Sequence, residues 1–166
     1  MKISSFDIFD TCLLRKCGTP ENFFDVFSLR VFNGEVEEWA RQEFVAERRR
    51  AEQKGCDNHS FTLQDIWSAF DMNHPQILPK NVLYQKELDL EREMLVPVLQ
   101  MREMVDKCRK KGHRIIFISD MYLSSGFLTE LLKKYGFFME GDILMTTIIL
   151  EKAIMPPICI TESLIS

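Results

Sequence analysis

A continuous apolar run from Arg114 to Asp120 restricts the fold of this chain more than any other stretch of its sequence. The run reads RIIFISD, so its side chains hardly alternate in polarity and it ends in polar residues. Such a strand is typical of a parallel sheet that is covered on both faces. Lys2 to Phe9 and Asp142 to Thr147 indicate two further short strands. The sequence therefore predicts an α/β fold built on a parallel sheet.

Four helical segments separate the first predicted strand from the second. Thr19-Pro20 supplies an N-cap and a first-turn proline, and a second helix is predicted over Glu35 to Lys54. Thr62 with Asp65 forms a variant of the capping box, and a fourth helix is predicted over Pro79 to Met94. Because no strand pattern interrupts these segments, we interpret them as a helical insertion.

The later part of the chain alternates helices and strands. Val98 to Lys111 and Ser125 to Tyr135 are amphipathic helices that flank the central strand. This rhythm favours a Rossmann-like sheet with right-handed crossovers. The predicted organisation is a core of residues 1–14 and 96–155, a helical cap of residues 15–95 and an irregular tail of residues 156–166.

Composition and charge argue against several classes of function. The formal net charge is −4, so no broad basic field favours nucleic acid. The arginines at positions 48–50 lie in a charged helical pattern, which we interpret as a solvated helix face. No apolar run reaches the roughly 18 residues that a membrane helix needs. The scattered cysteines and the N-terminus without signal-peptide character predict a cytoplasmic protein with reduced thiols.

Chemically useful side chains follow the first two predicted strands. Asp7, Asp10 and Thr11 come after the first strand, and Ser119 and Asp120 end the second. Ligand sites in open α/β sheets form at the carboxyl ends of the strands. A carboxylate there can bind Mg²⁺ and attack phosphorus, and a neighbouring hydroxyl can hold a phosphoryl oxygen. We therefore expect a phosphate-handling site at this edge.

The strings SFDIFDTCLL and IIFISDMYL resemble the first two motifs of the haloacid dehalogenase superfamily of hydrolases. As a pair they look like a subgroup of predicted bacterial hydrolases that often occur with glycosyl-transfer or surface-polysaccharide functions. The resemblance covers about residues 1–152. It implies a Rossmann-like core with an inserted cap, and Mg²⁺-dependent hydrolysis of a small phosphorylated metabolite or sugar phosphate through an aspartyl-phosphate.

The resemblance assigns roles to five residues. Asp7 matches the nucleophile and first Mg²⁺ ligand, and Phe9 stands where a backbone carbonyl binds the metal. Thr11 matches the threonine that orders the loop and contacts substrate. Ser119 matches the hydroxyl that holds the phosphate, and Lys152 falls near the position of the charge-neutralising lysine.

This sequence departs from the family pattern in two places. Phe9 replaces the usual acid/base aspartate and cannot transfer a proton, while the side chain of adjacent Asp10 should point elsewhere. No acidic motif follows Lys152 at normal spacing, and Glu162 imitates it only faintly, so the Mg²⁺ site is expected to be incomplete. The C-terminal part of the family's core is expected to be truncated or altered.

Two other functions stay open. One is a dehalogenase-like hydrolase that works without metal, and the other is an inactive interaction domain linked to polysaccharide synthesis or glycosyl transfer. Asp120 is a candidate substrate contact or a partner of the following helix N-terminus. Arg41 and Arg48 are either cap residues that reach a substrate anion or members of helix-surface ion pairs.

Overall fold

The computed structural model describes residues 2–56 and 62–146 of the 166-residue chain. These residues form six helices and five strands. The strands are β1 (Ile3–Asp7), β2 (Leu13–Arg15), β3 (Leu95–Pro97), β4 (Arg114–Ser119) and β5 (Ile143–Thr146). The helices are α1 (Pro20–Ser28), α2 (Glu38–Cys56), α3 (Leu63–Ala69), α4 (Lys80–Met94), α5 (Leu99–Lys110) and α6 (Ser125–Lys134). No helix among the described residues is long and apolar enough to cross a membrane.

The main sheet is parallel and has three strands in the order β1-β4-β5. Asp7 lies opposite Ile118, and Ser119 lies opposite Thr146, so all three strands end at the same edge of the sheet. The prediction of an α/β fold with a parallel sheet is confirmed. This architecture is compatible with a Rossmann-like core.

The sheet is covered on one face only among the described residues. Phe6 and Phe117 are buried on the covered face, whereas Ile3 is 59% exposed and Ile118 is 38% exposed on the other. The expectation that the central strand is buried on both faces is therefore wrong. The chain moves in the same direction along the sheet from β1 to β4 and from β4 to β5. Because such crossovers are right-handed, α5 and α6 lie on the same face of the sheet.

A two-stranded antiparallel sheet, which the sequence did not predict, joins the ends of the helical stretch. Leu13 pairs with Pro97, and Arg15 pairs with Leu95. The four helices α1 to α4, called the helical region below, lie between these two strands. The pairing brings the end of α4 back to the turn that follows β1.

Local capping signals determine where the helices of this region begin. The Thr19 side chain accepts a hydrogen bond from the Asn22 amide at the start of α1. Thr62 and Asp65 form a complete capping box at the start of α3. The second helix begins at Glu38, three residues later than predicted. Both threonine caps were predicted correctly because a cap depends only on neighbours in the sequence.

The interior of the helical region is aromatic. Phe27, Phe44, Trp67 and Phe70 pack with ring centroids 5.0–6.4 Å apart. Trp39, in the first turn of α2, lies outside this core: it is 60% exposed and its ring contacts His74.

Arg48 corrects the interpretation of the arginine run as a solvated face. Arg49 and Arg50 are exposed, but the Arg48 side chain is fully buried. Its Nε and Nη2 atoms donate to the two carboxylate oxygens of Glu87 at 3.2 and 2.7 Å, and Nη1 donates to Glu52 at 2.9 Å. The helix period alone could not reveal this, because Glu87 belongs to α4.

Burial acts to lower the pKa of the Arg48 guanidinium, but Glu87, Tyr122 and Glu52 together outweigh that effect and raise it. The cation also lies 5.1–5.7 Å from the ring centroids of Phe24, Trp67 and Tyr122. The attraction between the cation and these rings offsets part of the free energy that the ion loses on leaving water. Arg48 is thus a structural residue of the helical region, and no described contact directs it toward a substrate.

Replacing one member of this buried pair should destabilise the protein strongly. Glu87→Gln removes the fully buried carboxylate partner of Arg48 and leaves only the part-exposed Glu52 to balance the cation, and we expect the free energy of unfolding to fall by about 3 kcal/mol. Urea unfolding followed by tryptophan fluorescence measures the change. Glu93→Gln, which removes the exposed partner of Arg30, is the matched control and should have a much smaller effect. Equal losses for the two variants would contradict this account.

Candidate active site

Asp7 ends β1 and is exposed at the carboxyl edge of the sheet. A tight turn follows it, in which the Cys12 and Leu13 amides both donate to the Ile8 carbonyl. The Thr11 hydroxyl donates to Oδ2 of Asp7 at 3.1 Å. No described group donates to the other oxygen, Oδ1. The turn therefore holds one carboxylate oxygen and leaves the second available for chemistry.

Asp10 occupies the sharpest point of this turn. Its φ of 54° lies in the left-handed region, which aspartate tolerates better than most residues. Its amide donates to the Leu13 carbonyl, and its side chain is exposed. Asp10 therefore shapes the turn that presents Asp7.

Ser119 ends the neighbouring strand, one residue beyond the register partner of Asp7. Side chains alternate across a strand, so Ser119 points to the covered face and is only 1% exposed. Its hydroxyl accepts a hydrogen bond from the Met121 amide at 3.2 Å. Asp120 follows and is exposed. The two strand ends lie side by side as expected, but Asp7 and Ser119 differ in accessibility.

Phe9 is buried in the turn after β1, against an ion pair that sequence reasoning did not find. The guanidinium of Arg15 lies 5.0 Å from the centroid of the Phe9 ring. Nη2 of Arg15 donates to Oε1 of Glu91 at 2.8 Å, and both side chains are almost fully buried. The position that carries an acid/base carboxylate in the resembling family therefore packs here against a cation.

The two carboxylates of α4, Glu87 and Glu91, form a buried acidic pair one helical turn apart. Burial raises the pKa of the Glu91 carboxyl above its usual range, although Arg15 opposes the shift. Each carboxylate has its own arginine partner, Arg48 for Glu87 and Arg15 for Glu91. Glu87 and Glu91 recur with the buried Leu83 and Leu90 at helical spacing, and this periodicity was the sequence signal that the two carboxylates are buried.

Tyr122 links the loop after β4 to the helical region. The side chain is buried, and its hydroxyl donates to Oε1 of Glu87 at 3.4 Å. The backbone carbonyl of Tyr122 accepts a hydrogen bond from the Leu63 amide at 3.0 Å. Desolvation, with a contribution from Glu87, raises the pKa of this phenol well above its ordinary value. Tyr122 therefore anchors the segment that begins at Ser119.

A cavity of about 220 Å³ adjoins the same loop. It lies between the starts of α3 and α6, the middle of α4 and the end of β5. Its described walls are formed by Thr62, Leu63, Gln64, Tyr84, Leu88, Tyr122, Ser124, Ser125 and Thr146. Larger grooves of about 530 and 360 Å³ border α1 and the beginning of α2, around Leu29 and Arg41, and none of the strand-end residues lines them.

Cys12 supplies a thiol to the turn after β1. Burial raises the pKa of its thiol to about 12, and the nearby Asp7 carboxylate contributes. Because the thiolate is the reactive form, this cysteine is inert at neutral pH. Cys12, Cys17 and Cys108 are all free thiols. Asp7 is therefore the better nucleophile of the turn.

The donor atoms around Asp7 fit Mg²⁺ in part. Carboxylate and carbonyl oxygens are the ligands that Mg²⁺ prefers, and the resemblance gives these roles to the Asp7 side chain and the Phe9 carbonyl. Among residues 2–56 and 62–146, no group of three or more His, Cys, Asp and Glu side chains is placed to hold a metal ion. This donor set suits an ion that keeps water and substrate oxygens among its ligands, as Mg²⁺ usually does.

The outcome for the remaining predicted residues is simple. Thr11 and Asp120 lie at the same edge of the sheet as Asp7. Lys152 and the tail 156–166 lie outside the described residues. Arg41 forms an ion pair with Glu38 on α2, as the surface interpretation expected.

The chemistry of this site depends on its own geometry: an exposed carboxylate, a tight turn and a neighbouring hydroxyl at one sheet edge. Comparison of the sequence with models of known protein families gives no match, and comparison with curated proteins gives none either. The proposals below therefore depend on the described residues and on the two motifs.

Proposed function

We propose that this chain is a haloacid dehalogenase-like hydrolase that cleaves a small phosphate ester through an aspartyl-phosphate on Asp7. The observation that carries the proposal is the exposed carboxylate at the end of a parallel strand, with one oxygen held by Thr11. Sites at this edge are the usual ligand sites of open α/β sheets. Residues 15–95 would act as the cap of such an enzyme.

In the first step, Oδ1 of Asp7 attacks phosphorus, the bond from phosphorus to the ester oxygen breaks, and the alcohol part leaves as an alkoxide that takes its proton from water. The Thr11 hydrogen bond orients the carboxylate for this attack. Mg²⁺, when bound through Asp7 and the Phe9 carbonyl, would neutralise charge on the phosphoryl group. In the second step, water attacks the aspartyl-phosphate, releasing inorganic phosphate and restoring the carboxylate.

Ser119 and Lys152 would interact with the phosphoryl group of the substrate. The Ser119 hydroxyl would hold a phosphoryl oxygen after a small outward movement of the loop that follows it, because it is buried in the described arrangement. Lys152 would neutralise phosphoryl charge. The substrate would be a small phosphorylated metabolite or a sugar phosphate.

Phe9 favours one alternative. Metal-independent dehalogenase-like members of the resembling superfamily also lack the acid/base aspartate at this position, and a halide leaves without needing a proton. Halide release from a small haloacid in the presence of a chelator would support that alternative. The absence of any turnover from a stably folded protein would support the interaction domain instead.

Asp7→Asn should abolish hydrolysis while leaving the fold intact. We expect the rate with 4-nitrophenyl phosphate and Mg²⁺ to fall at least about 10³-fold, because an amide cannot form the covalent intermediate. Asp10→Asn is the matched control, since asparagine tolerates the same left-handed backbone. Circular dichroism checks the fold of both variants. An Asp7→Asn protein as active as the wild type would refute the assignment of the nucleophile.

The missing proton donor should make the rate depend strongly on the leaving group. A positioned general acid typically contributes about 10²–10⁴-fold. We therefore expect 4-nitrophenyl phosphate to be cleaved at least about 100-fold faster than glycerol phosphate, whose alkoxide needs a proton. Steady-state phosphate release measures both rates. Similar rates for the two esters would show that another group supplies the proton.

A further inference from the structure

The cavity beside Tyr122 has a buried floor and an open mouth. Thr146 and Leu63 are almost fully buried, whereas Gln64, Ser124 and Ser125 are exposed at the surface. Its volume of about 220 Å³ is below the roughly 300 Å³ at which pockets for drug-sized ligands begin. The space therefore suits one small ring and is too small for a nucleotide.

The walls of the cavity are uncharged and rich in hydroxyl groups. No acidic or basic side chain lines it among the described residues. Six of the nine lining residues carry a hydroxyl: Thr62, Tyr84, Tyr122, Ser124, Ser125 and Thr146. A charged ligand group would lose its hydration here without gaining a counter-ion. The cavity therefore favours a neutral ligand that both donates and accepts hydrogen bonds.

Several of these polar groups have hydrogen-bonding capacity to spare. Thr62 and Ser124 already cap α3 and α6. In the part of the chain that the structure describes, no hydrogen bond engages the side chains of Gln64, Tyr84, Ser125 or Thr146. They stand on four different elements, α3, α4, α6 and β5, around one space. Their convergence is the pattern of a ligand site with a few polar groups that fix orientation.

We infer that this cavity binds an uncharged monosaccharide. A sugar ring has apolar C–H faces, which match the rings of Tyr84 and Tyr122 and the side chains of Leu63 and Leu88. Its hydroxyl edges match Gln64, Ser125 and Thr146.

The inference also deepens the proposed function, on which the role of the ligand rests. Thr146 is the register partner of Ser119, so the cavity adjoins the strand end that would hold the phosphate. The bound sugar would be the alcohol part of the ester. Binding of the sugar itself requires no turnover, so it can be measured separately.

Site-resolved NMR titration of the whole chain tests the inference. The probes are glucose, galactose, mannose, rhamnose and N-acetylglucosamine, each added up to about 50 mM, well above a Kd on the order of 1 mM for a small neutral ligand. We expect at least one sugar to shift the amide signals of residues 62–64, 122–125 and 146. Absence of shifts with all five sugars, or shifts confined to other residues, would overturn the inference.

Matched variants connect the binding to this cavity. Thr146→Val and Ser125→Ala each remove one hydroxyl, and each should weaken binding about fivefold, the loss expected for one hydrogen bond. Thr129→Val removes a hydroxyl from a residue of α6 that does not line the cavity and should leave the affinity unchanged. Ser125 is exposed, so its variant gives the same information if Thr146→Val does not fold. Unchanged affinity in both cavity variants would overturn the inference.

The phosphatase assay on the same protein separates the two proposals. Sugar binding without ester hydrolysis would support the cavity assignment and contradict the role of Asp7. Hydrolysis without sugar binding would support Asp7 and contradict the cavity assignment.

Discussion

The helical region depends on one buried cation, the guanidinium of Arg48. It stands on α2, forms a double hydrogen bond with Glu87 of α4, and lies against the rings of Phe24 on α1 and Trp67 on α3. A buried charge without its partner costs several kcal/mol. The helices can therefore enclose Arg48 only in an arrangement that also brings Glu87 inside. Tyr122 joins the same cluster, which ties the loop after β4 to that arrangement.

A second buried pair, Arg15 with Glu91, explains the unusual residue two positions after Asp7. The Phe9 ring packs against the Arg15 cation, whose carboxylate partner is Glu91. An aspartate at this position would stand beside the same guanidinium and compete with Glu91 for it. The residue two positions after Asp7 is thus a ring that packs against Arg15 of β2, and it cannot transfer a proton. In the proposed hydrolase, the lack of a proton donor at this position limits the leaving groups that Asp7 can displace.

Because the described helices cover only one face of the parallel sheet, the side chains at its strand ends differ in solvent exposure. Both crossover helices cover the face that carries Phe6, Phe117 and Ser119, so the serine is buried while Asp7 on the other face is exposed. The hydroxyl-lined cavity opens on the covered side, next to Thr146. The carboxylate and the cavity therefore both adjoin the carboxyl edge of the parallel sheet.

The sequence by itself determined the three strands of the parallel sheet, the threonine caps and the position of Asp7 at a strand end, because these features depend on residues within a few positions of one another. Tertiary structure alone decided that Arg48 is buried, that Phe9 lies against Arg15 and that, within residues 2–56 and 62–146, one face of the parallel sheet stays uncovered. The partners of the two arginines lie 39 and 76 residues away along the chain. A local pattern cannot tell a solvated charge from a buried one, because burial depends on which distant carboxylate the fold brings within hydrogen-bonding distance.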